Sequence, residues 1–339
     1  MNTNEATIRA VGSDLQNDLK VHEGEIRHPL PARSEAARIH AYGGKEVLKV
    51  DEVPLPMIGA DQVLVRVSAA GINGLDWKIR DGLLKDVFPL NLPAVLGFEL
   101  SGVVVEAGKN TSRLKVGDRV IGPLDAIGAY ADFVAIDETK LCATPDGLTD
   151  IEAAALPVAS LTACQALEAG GLRSGQKVLI QGAAGAVGGF AVQFAKTAGA
   201  AVLATASTSS GDYILGLGAD EAIDYKTERF EDRAVEIDLV LDLVGGDTLD
   251  RSWNVLAPGG VIVSTTQPDL AARVPAGRRG LGIMMHSDAE RLRKIADDVA
   301  AGTLKSRIAE VVEFSELSDA IERNKTGHAP GKTVVNFVR

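Results

Sequence analysis

The chain is poor in cysteine, in aromatic residues and in basic runs, and each shortage removes a class of function. Cys142 and Cys164 are the only two cysteines among 339 residues. That is too few for a disulfide framework and fits a reducing compartment. No apolar run reaches the roughly 18 residues that a membrane-spanning helix needs, so no membrane partner is expected. The formal net charge is −11, and the isoelectric point lies near 5.0. A protein that grips a phosphate backbone needs a basic face, and without a long Lys/Arg run no nucleic-acid partner is expected. The five histidines, His22, His28, His40, His286 and His328, show no metal-ligand spacing.

What is present is an ordinary globular composition, 46% hydrophobic and 24% charged, with 36 glycines against 4% aromatics. Such a chain folds without staples, and its length suggests two domains at about 100–200 residues each. Many glycines imply tight turns and close backbone approaches. Residues 1–34 mix acids with bases and hold no apolar h-region, so they read as neither signal nor transit peptide. They are expected to form a mobile extension, with at most a short helix over 14–21. A cytoplasmic location follows as the expectation.

From Ala36 the texture changes. Short β-branched runs at 37–40, 47–53, 62–69, 102–107, 119–122 and 131–135 are separated by Gly, Pro and Asp, which predicts a small barrel or curled sheet. After Pro157, strands at 177–181, 201–206, 221–224, 239–243 and 261–265 alternate with helical segments at 187–198, 213–217 and 248–256. That is the pattern of βαβ units on a parallel sheet. An amphipathic helix at 288–301 follows, then strands at 311–314 and 333–338 around a helix at 317–326. The expected division is 1–34 as extension, 35–157 with 300–339 as a β-rich domain, and 158–299 as the parallel α/β domain.

The segment with most chemical content is Lys177-Val-Leu-Ile-Gln-Gly182-Ala-Ala-Gly185-Ala-Val-Gly188. A strand runs into a turn and a helix opens near Ala186. Gly182 permits the sharp exit, Gly185 lets a phosphate approach the backbone, and Gly188 lets the helix pack on the sheet. The helix N-terminus offers N–H donors and positive potential to a pyrophosphate. This predicts dinucleotide binding.

Several separate motifs then carry a family resemblance across nearly the whole chain. They include Ala70-Gly-Ile-Asn73-Gly-Leu-Asp76-Trp-Lys78-Ile-Arg80, Pro93-Ala-Val-Leu-Gly97-Phe-Glu99, Val116-Gly-Asp118-Arg119, Leu156-Pro-Val-Ala-Ser-Leu-Thr162 and Gly331-Lys332-Thr-Val-Val. The chain from Ala36 resembles the medium-chain dehydrogenase/reductase superfamily, and within it the zinc-independent quinone oxidoreductase branch. The resemblance implies an α/β fold: a Rossmann doubly wound parallel sheet plus a GroES-like β-barrel domain that carries the substrate cleft. In the zinc branch a Cys stands where this chain has Asn73, a His where it has Phe98, and a further ligand near Val158. Phe98 cannot bind a metal and an amide is a poor ligand, so no metal site is expected. Without a Lewis acid the suitable acceptor is one already electron-poor, a quinone or a conjugated enone.

The resemblance further implies a catalytic set of Asn73, Asp76 and Lys78, with Asn73 donating to the substrate oxygen or the cofactor carboxamide. A structural ion pair of Asp76 with Arg80 is the competing expectation. The cofactor set is Thr162, Gly182, Ala184, Gly185, Ala186, Val187, Gly188, Ser207, Thr208, Tyr225, Val244 and Lys332. Thr162 is expected to open a helix, Tyr130 to pack in the barrel, and Cys164 to be buried filler. No Asp or Glu occurs from Gly182 to Gly211. NAD-preferring sites place one there to hold the ribose hydroxyls, so NADP(H) is the expected cofactor. Relatives that use NADPH often add a Lys or Arg just after the Ser, and this chain has none. Two alternatives stand beside this reading. One is an alkenal or enoyl-thioester reductase using Arg273, Arg278 and Arg279 as a positive entrance. The other is a non-catalytic NADPH-binding regulator. A homodimer is expected through the late strand around 281–285.

Overall fold

The computed structural model describes residues 30–327 and 329–338. The expected extension therefore lies largely outside the described residues, as do His22, His28 and His328. Its predicted end at 34 is too late, because Arg33 already opens a strand opposite Pro54.

The β-rich part comprises β1 (Arg33–Ile39), β2 (Leu48–Pro54), β3 (Gln62–Ile72), the short helix α1 (Gly74–Arg80), β4 (Ala94–Val95), β5 (Glu99–Ala107), β6 (Arg119–Pro123), β7 (Phe133–Asp137) and β8 (Cys142–Ala143). Helices α2 (Asp150–Ala154) and α3 (Pro157–Ala169) lead out of it. The alternating part runs β9 (Lys177–Gln181), α4 (Ala186–Thr197), β10 (Ala201–Ala206), α5 (Gly211–Gly216), β11 (Glu221–Asp224), β12 (Ile237–Asp242), α6 (Gly246–Ser252), β13 (Leu256–Ser264) and β14 (Arg279–Gly282). The chain closes with α7 (Ala289–Ala300), β15 (Ile308–Glu313), α8 (Leu317–Lys325) and β16 (Lys332–Asn336).

β9 to β14 form a six-stranded parallel sheet in the order β11-β10-β9-β12-β13-β14. The chain winds outward on one side of β9, then returns to start β12 on the other. This reversal opens a crevice at the carboxyl ends of the strands. Alternation along β9 feeds two cores: Val178 and Ile180 pack with α3, α4 and α7, while Leu179 packs with Leu203, Val240 and Ile262 on the opposite face. A sheet covered on both faces explains why these strands read as continuous apolar runs.

The β-rich part has a seven-stranded sheet in the order β15-β16-β3-β5-β6-β8, with β7 also on β3, and a three-stranded sheet β2-β1-β4. β16 lies antiparallel to β3, with Thr333 opposite Ile72. The last strand of the chain thus lies beside the segment that enters α1.

Two local expectations are corrected and one element is added. The helix predicted over 248–256 is an α-helix to Ser252 and a 3-10 turn over Trp253–Val255, one residue short of the expected end, and β13 begins at Leu256. Thr162 does not open a helix: Pro157 occupies the first turn of α3 and Thr162 sits inside it. α1 went unpredicted, since seven residues are too few for a 3.6-residue period to declare itself.

Candidate active site

The glycine turn is held from beneath by the next strand. Thr205 of β10 donates its hydroxyl to Gln181 Oε1 at 2.8 Å, and the Gly182 N–H donates back to Thr205 Oγ1 at 3.1 Å. Gly182 has φ +78, a conformation that suits glycine. A Cβ on Gly188 would lie 2.5 Å from both Ala183 Cα and Gly182 O, so only glycine lets α4 approach the turn. A Cβ on Gly185 would meet nothing nearer than Gly182 O at 3.5 Å. The space over the turn is therefore open, and the first N–H groups of α4, which lack intrahelical acceptors, face it. A pyrophosphate fits this cradle.

At the end of β12 the buried Asp242 shapes the facing loop. Its carboxylate accepts from the N–H groups of Val244 (3.1 Å) and Gly245 (2.8 Å) and from the hydroxyls of Ser264 (2.6 Å) and Thr266 (3.0 Å). Its only sequence signal was an acid closing an apolar strand.

The cleft between the two parts encloses about 570 Å³. Gly182, Ala184, Gly185, Ala186, Val187 and Gly188 line it, with Ser207, Tyr225, Val244, Asn73, Lys78 and Lys332. Ser209 also lines it, as do Lys226 and Lys325, which sequence reasoning missed. Its described lining contains four lysines (Lys78, Lys226, Lys325 and Lys332) and no Asp or Glu. Trp77 forms part of the wall, with Lys78 Nζ 5.7 Å and Lys325 Nζ 5.5 Å from its ring centroid.

Three expected site residues stand off the cleft. Thr162 gives its hydroxyl to Val158 O one helical turn back, at 2.6 Å. Thr208 gives its hydroxyl to the Asp224 carboxylate. Asp76 is fully buried beneath the site. Its carboxylate accepts from the N–H groups of Asn73 (2.7 Å) and Gly97 (3.2 Å) and from the Tyr130 hydroxyl (2.8 Å). Burial pushes this carboxyl up to about 6, against those hydrogen bonds, and pushes the Tyr130 hydroxyl well above its ordinary value. The expected Asp76–Arg80 pair does not form, because Arg80 turns to Asp81 (2.7 Å) and Glu322 (2.5 Å).

Under the cleft lies a buried ionic cluster. The Lys332 ammonium, 4% exposed, pairs with the fully buried Glu99 and donates to Asn73 Oδ1 at 2.6 Å. Asn73 Nδ2 donates to Glu99 Oε1 at 2.9 Å and to Gly71 O at 3.3 Å. The other Glu99 oxygen accepts the Val158 N–H at 2.7 Å. Both amide hydrogens of Asn73 thus go to protein acceptors, which removes it as the expected free donor. A Cβ on Gly71 would fall on the Glu99 carboxylate and 2.7 Å from Lys332 Cε, so the glycine makes room for the pair.

Nothing here suits a transition metal. Phe98 and the engaged amide of Asn73 stand where imidazole and thiolate would be needed, and among the described residues no three of His, Cys, Asp and Glu converge. Burial pushes the Cys142 thiol up to about 12 and raises that of Cys164, so neither is an activated nucleophile. The basic loop is also misplaced for a cleft entrance. Arg278 and Arg279 bond Leu256 O and Gly259 O at the amino ends of their strands, opposite the cleft, and Arg273 pairs with Asp269.

Comparison with known proteins assigns the chain. Residues 59–147 match the alcohol dehydrogenase GroES-like domain and residues 217–335 the zinc-binding dehydrogenase domain. The chain is 36% identical to the 2-methylene-furan-3-one reductase of Solanum lycopersicum, over 98% of this chain and 87% of that protein. It is 34% identical to the chloroplastic NADPH-dependent alkenal/one oxidoreductase of Arabidopsis thaliana, over 90% and 80%. The solved quinone oxidoreductase of Coxiella burnetii superposes with a TM-score of 0.84 at 34% identity, covering 91% of this chain and all of that one. The chain belongs to the quinone oxidoreductase branch of the medium-chain dehydrogenase/reductase superfamily. It is an oxidoreductase with a nicotinamide-binding fold. The cytoplasmic expectation is withdrawn, since relatives at this level of identity are named chloroplastic. No helix among the described residues is long and apolar enough to cross a membrane.

Two outcomes are expected. Metal analysis of the purified protein finds no stoichiometric zinc, and chelators leave turnover intact; one tightly bound zinc lost together with activity refutes this. The second concerns Asp76. Its folded pKa, about 6, exceeds the ordinary 3.8. Between those values the folded state holds a proton that the unfolded chain has released, so this contribution to stability falls as pH rises from about 4 through about 6. Above that range the buried charge costs on the order of 3 kcal/mol. The stability of the wild type relative to Asp76→Asn, measured by urea unfolding, should fall across that interval. A difference flat in pH contradicts it.

Proposed function

We propose that the protein is an NADPH-dependent, metal-independent reductase that delivers hydride to a quinone or a conjugated carbonyl. The charge of the cleft carries this reading: four lysines and no carboxylate in the described lining of a chain of net charge −11. An acid at the end of the second Rossmann strand would hold the ribose hydroxyls of NADH and repel a 2′-phosphate. Ser207 and Ser209 stand there instead.

When bound, the reduced nicotinamide supplies the hydride. Trp77 offers a flat apolar wall to a planar acceptor. The Lys332 ammonium has three N–H donors and spends two on Asn73 and Glu99, leaving one for the oxygen on which negative charge develops. Asn73 and Asp76 then act by positioning: Asn73 orients Lys332, and Asp76 holds the Asn73 backbone. Lys78 on the rim delivers the proton that the reduced acceptor takes up, and solvent reprotonates it. The names of the tomato and Arabidopsis relatives, a methylene-furanone reductase and an alkenal/one oxidoreductase, support a conjugated carbonyl. The remoteness of Arg278 and Arg279 speaks against a thioester carrier.

NADPH is expected to exceed NADH by at least roughly tenfold in kcat/KM, about 1.4 kcal/mol, in an assay over quinones, enals and enoyl thioesters, with the thioesters poorest. Ser207→Asp should move the preference towards NADH. Equal efficiency with both cofactors defeats the NADPH reading, and no turnover with any acceptor favours the regulator.

The outer edge of β14 has no further strand on it among the described residues, and Leu281 and Met284 beside it are exposed. A second copy pairing there would cover a bare sheet edge. Light scattering is expected to give a dimer mass, and a monomer at micromolar concentration refutes it.

A further inference from the structure

We infer that Lys226 is the cation that recognises the 2′-phosphate, and so the residue that sets cofactor preference. The inference rests on the NADPH reading and deepens it. The segment after β10 contains only hydroxyls for this task, Ser207, Thr208, Ser209 and Ser210. A neutral rim of this kind discriminates weakly between a phosphate and a hydroxyl. The missing charge comes from the neighbouring strand.

β10 and β11 are parallel and in register, with Ala206 opposite Asp224. The Tyr225 N–H donates to Ala206 O at 3.2 Å, so the two segments leave the sheet side by side. Ser207 therefore lies next to Tyr225, at the strand end where the adenosine ribose of a dinucleotide sits. Lys226 follows, exposed, and lines the same cleft as Ser207 and Ser209. Among the described residues no ion pair holds its ammonium, unlike Lys325, which is committed to Asp81 at 2.7 Å.

Two carboxylates share this turn: Glu228 pairs with Arg233 at 2.9 Å, and Asp224 attracts the Lys226 ammonium electrostatically but forms no ion pair with it. Asp224 accepts the Thr208 hydroxyl on one oxygen and the Lys226 backbone N–H, at 3.0 Å, on the other, and it contributes nothing to the cleft wall. Asp224 thereby ties Thr208 out of the site and fixes the turn that carries Lys226. Lys78 belongs to α1 and Lys332 to β16, both in the β-rich part, whereas Lys226 follows a strand of the parallel sheet beside Ser207.

The test uses the full chain and equilibrium binding, so that turnover is not the only readout. NADP⁺ and NAD⁺ are titrated by calorimetry into the wild type, Lys226→Met and Lys226→Arg, and kcat/KM is measured with NADPH and NADH. A charge-assisted phosphate contact predicts that Lys226→Met weakens NADP⁺ about tenfold and leaves NAD⁺ unchanged. Lys226→Arg should retain the discrimination, and rising salt should shrink it in the wild type but not in the Met variant. A preference that survives Lys226→Met overturns the assignment while the NADPH reading stands. An equal loss for both nucleotides also overturns it, by making Lys226 a general attractor of anions. A wild type that does not distinguish NADP⁺ from NAD⁺ overturns the NADPH reading and Lys226 with it.

Discussion

The site depends on one buried ion pair, Glu99 with Lys332. Placing both charges out of water costs several kcal/mol per ion unless their hydrogen-bonding capacity is filled. Here Asn73 bridges the pair, accepting from the ammonium and donating to the carboxylate, while the second Glu99 oxygen takes the Val158 N–H. Four segments are locked by this cluster: β5, the last strand of the chain, the start of α1 and the start of α3. The geometry of the cleft floor follows from it. Removing one partner would leave the other charged and unpaired, so the pair is costly to break whatever its net contribution to stability.

Asp76 is the support beneath. Its carboxylate gathers the Asn73 N–H, the Gly97 N–H and the Tyr130 hydroxyl, and so joins the mouth of α1 to the barrel core. Where the zinc branch uses thiolate and imidazole, this chain has an amide that orients an ammonium. An ammonium donates hydrogen bonds to a developing oxyanion but does not polarise an alcohol as a Lewis acid does. That suits an acceptor already electron-poor.

Charge is distributed unevenly for a reason. A net charge of −11 opposes the approach of a polyanionic cofactor, yet the described cleft lining carries only positive groups. Glu99 and Asp81 offset Lys332 and Lys325, while low-dielectric walls focus the field of Lys78 and Lys226, which no ion pair holds among the described residues. Asp242 and Asp224 sit beside the cleft, but each spends its oxygens on loop N–H groups and hydroxyls rather than facing the ligand.

The glycine turn was legible because its chemistry is local: a strand, three glycines at fixed spacing and a helix lie within one short stretch, and the requirement for space at Gly188 is a contact with Ala183. The alternation of strands and helices was legible because burial on both faces writes itself into each strand. Glu99–Lys332 was not, since the partners are more than two hundred residues apart and meet only when β16 pairs with β3. Asp76 and Thr162 were assigned by motif and Thr208 by its place after the second strand, but whether a side chain faces a cleft or a neighbour depends on backbone direction, which neither encodes. Lys226 stood outside every motif. It joins Ser207 only because β10 and β11 run parallel in register, so that two turns distant along the chain end at one edge of the sheet. The sequence by itself determined the fold class and the glycine turn, both set by interactions within a few residues. Tertiary structure alone decided which charges line the cleft, because that depends on strand pairing between distant segments.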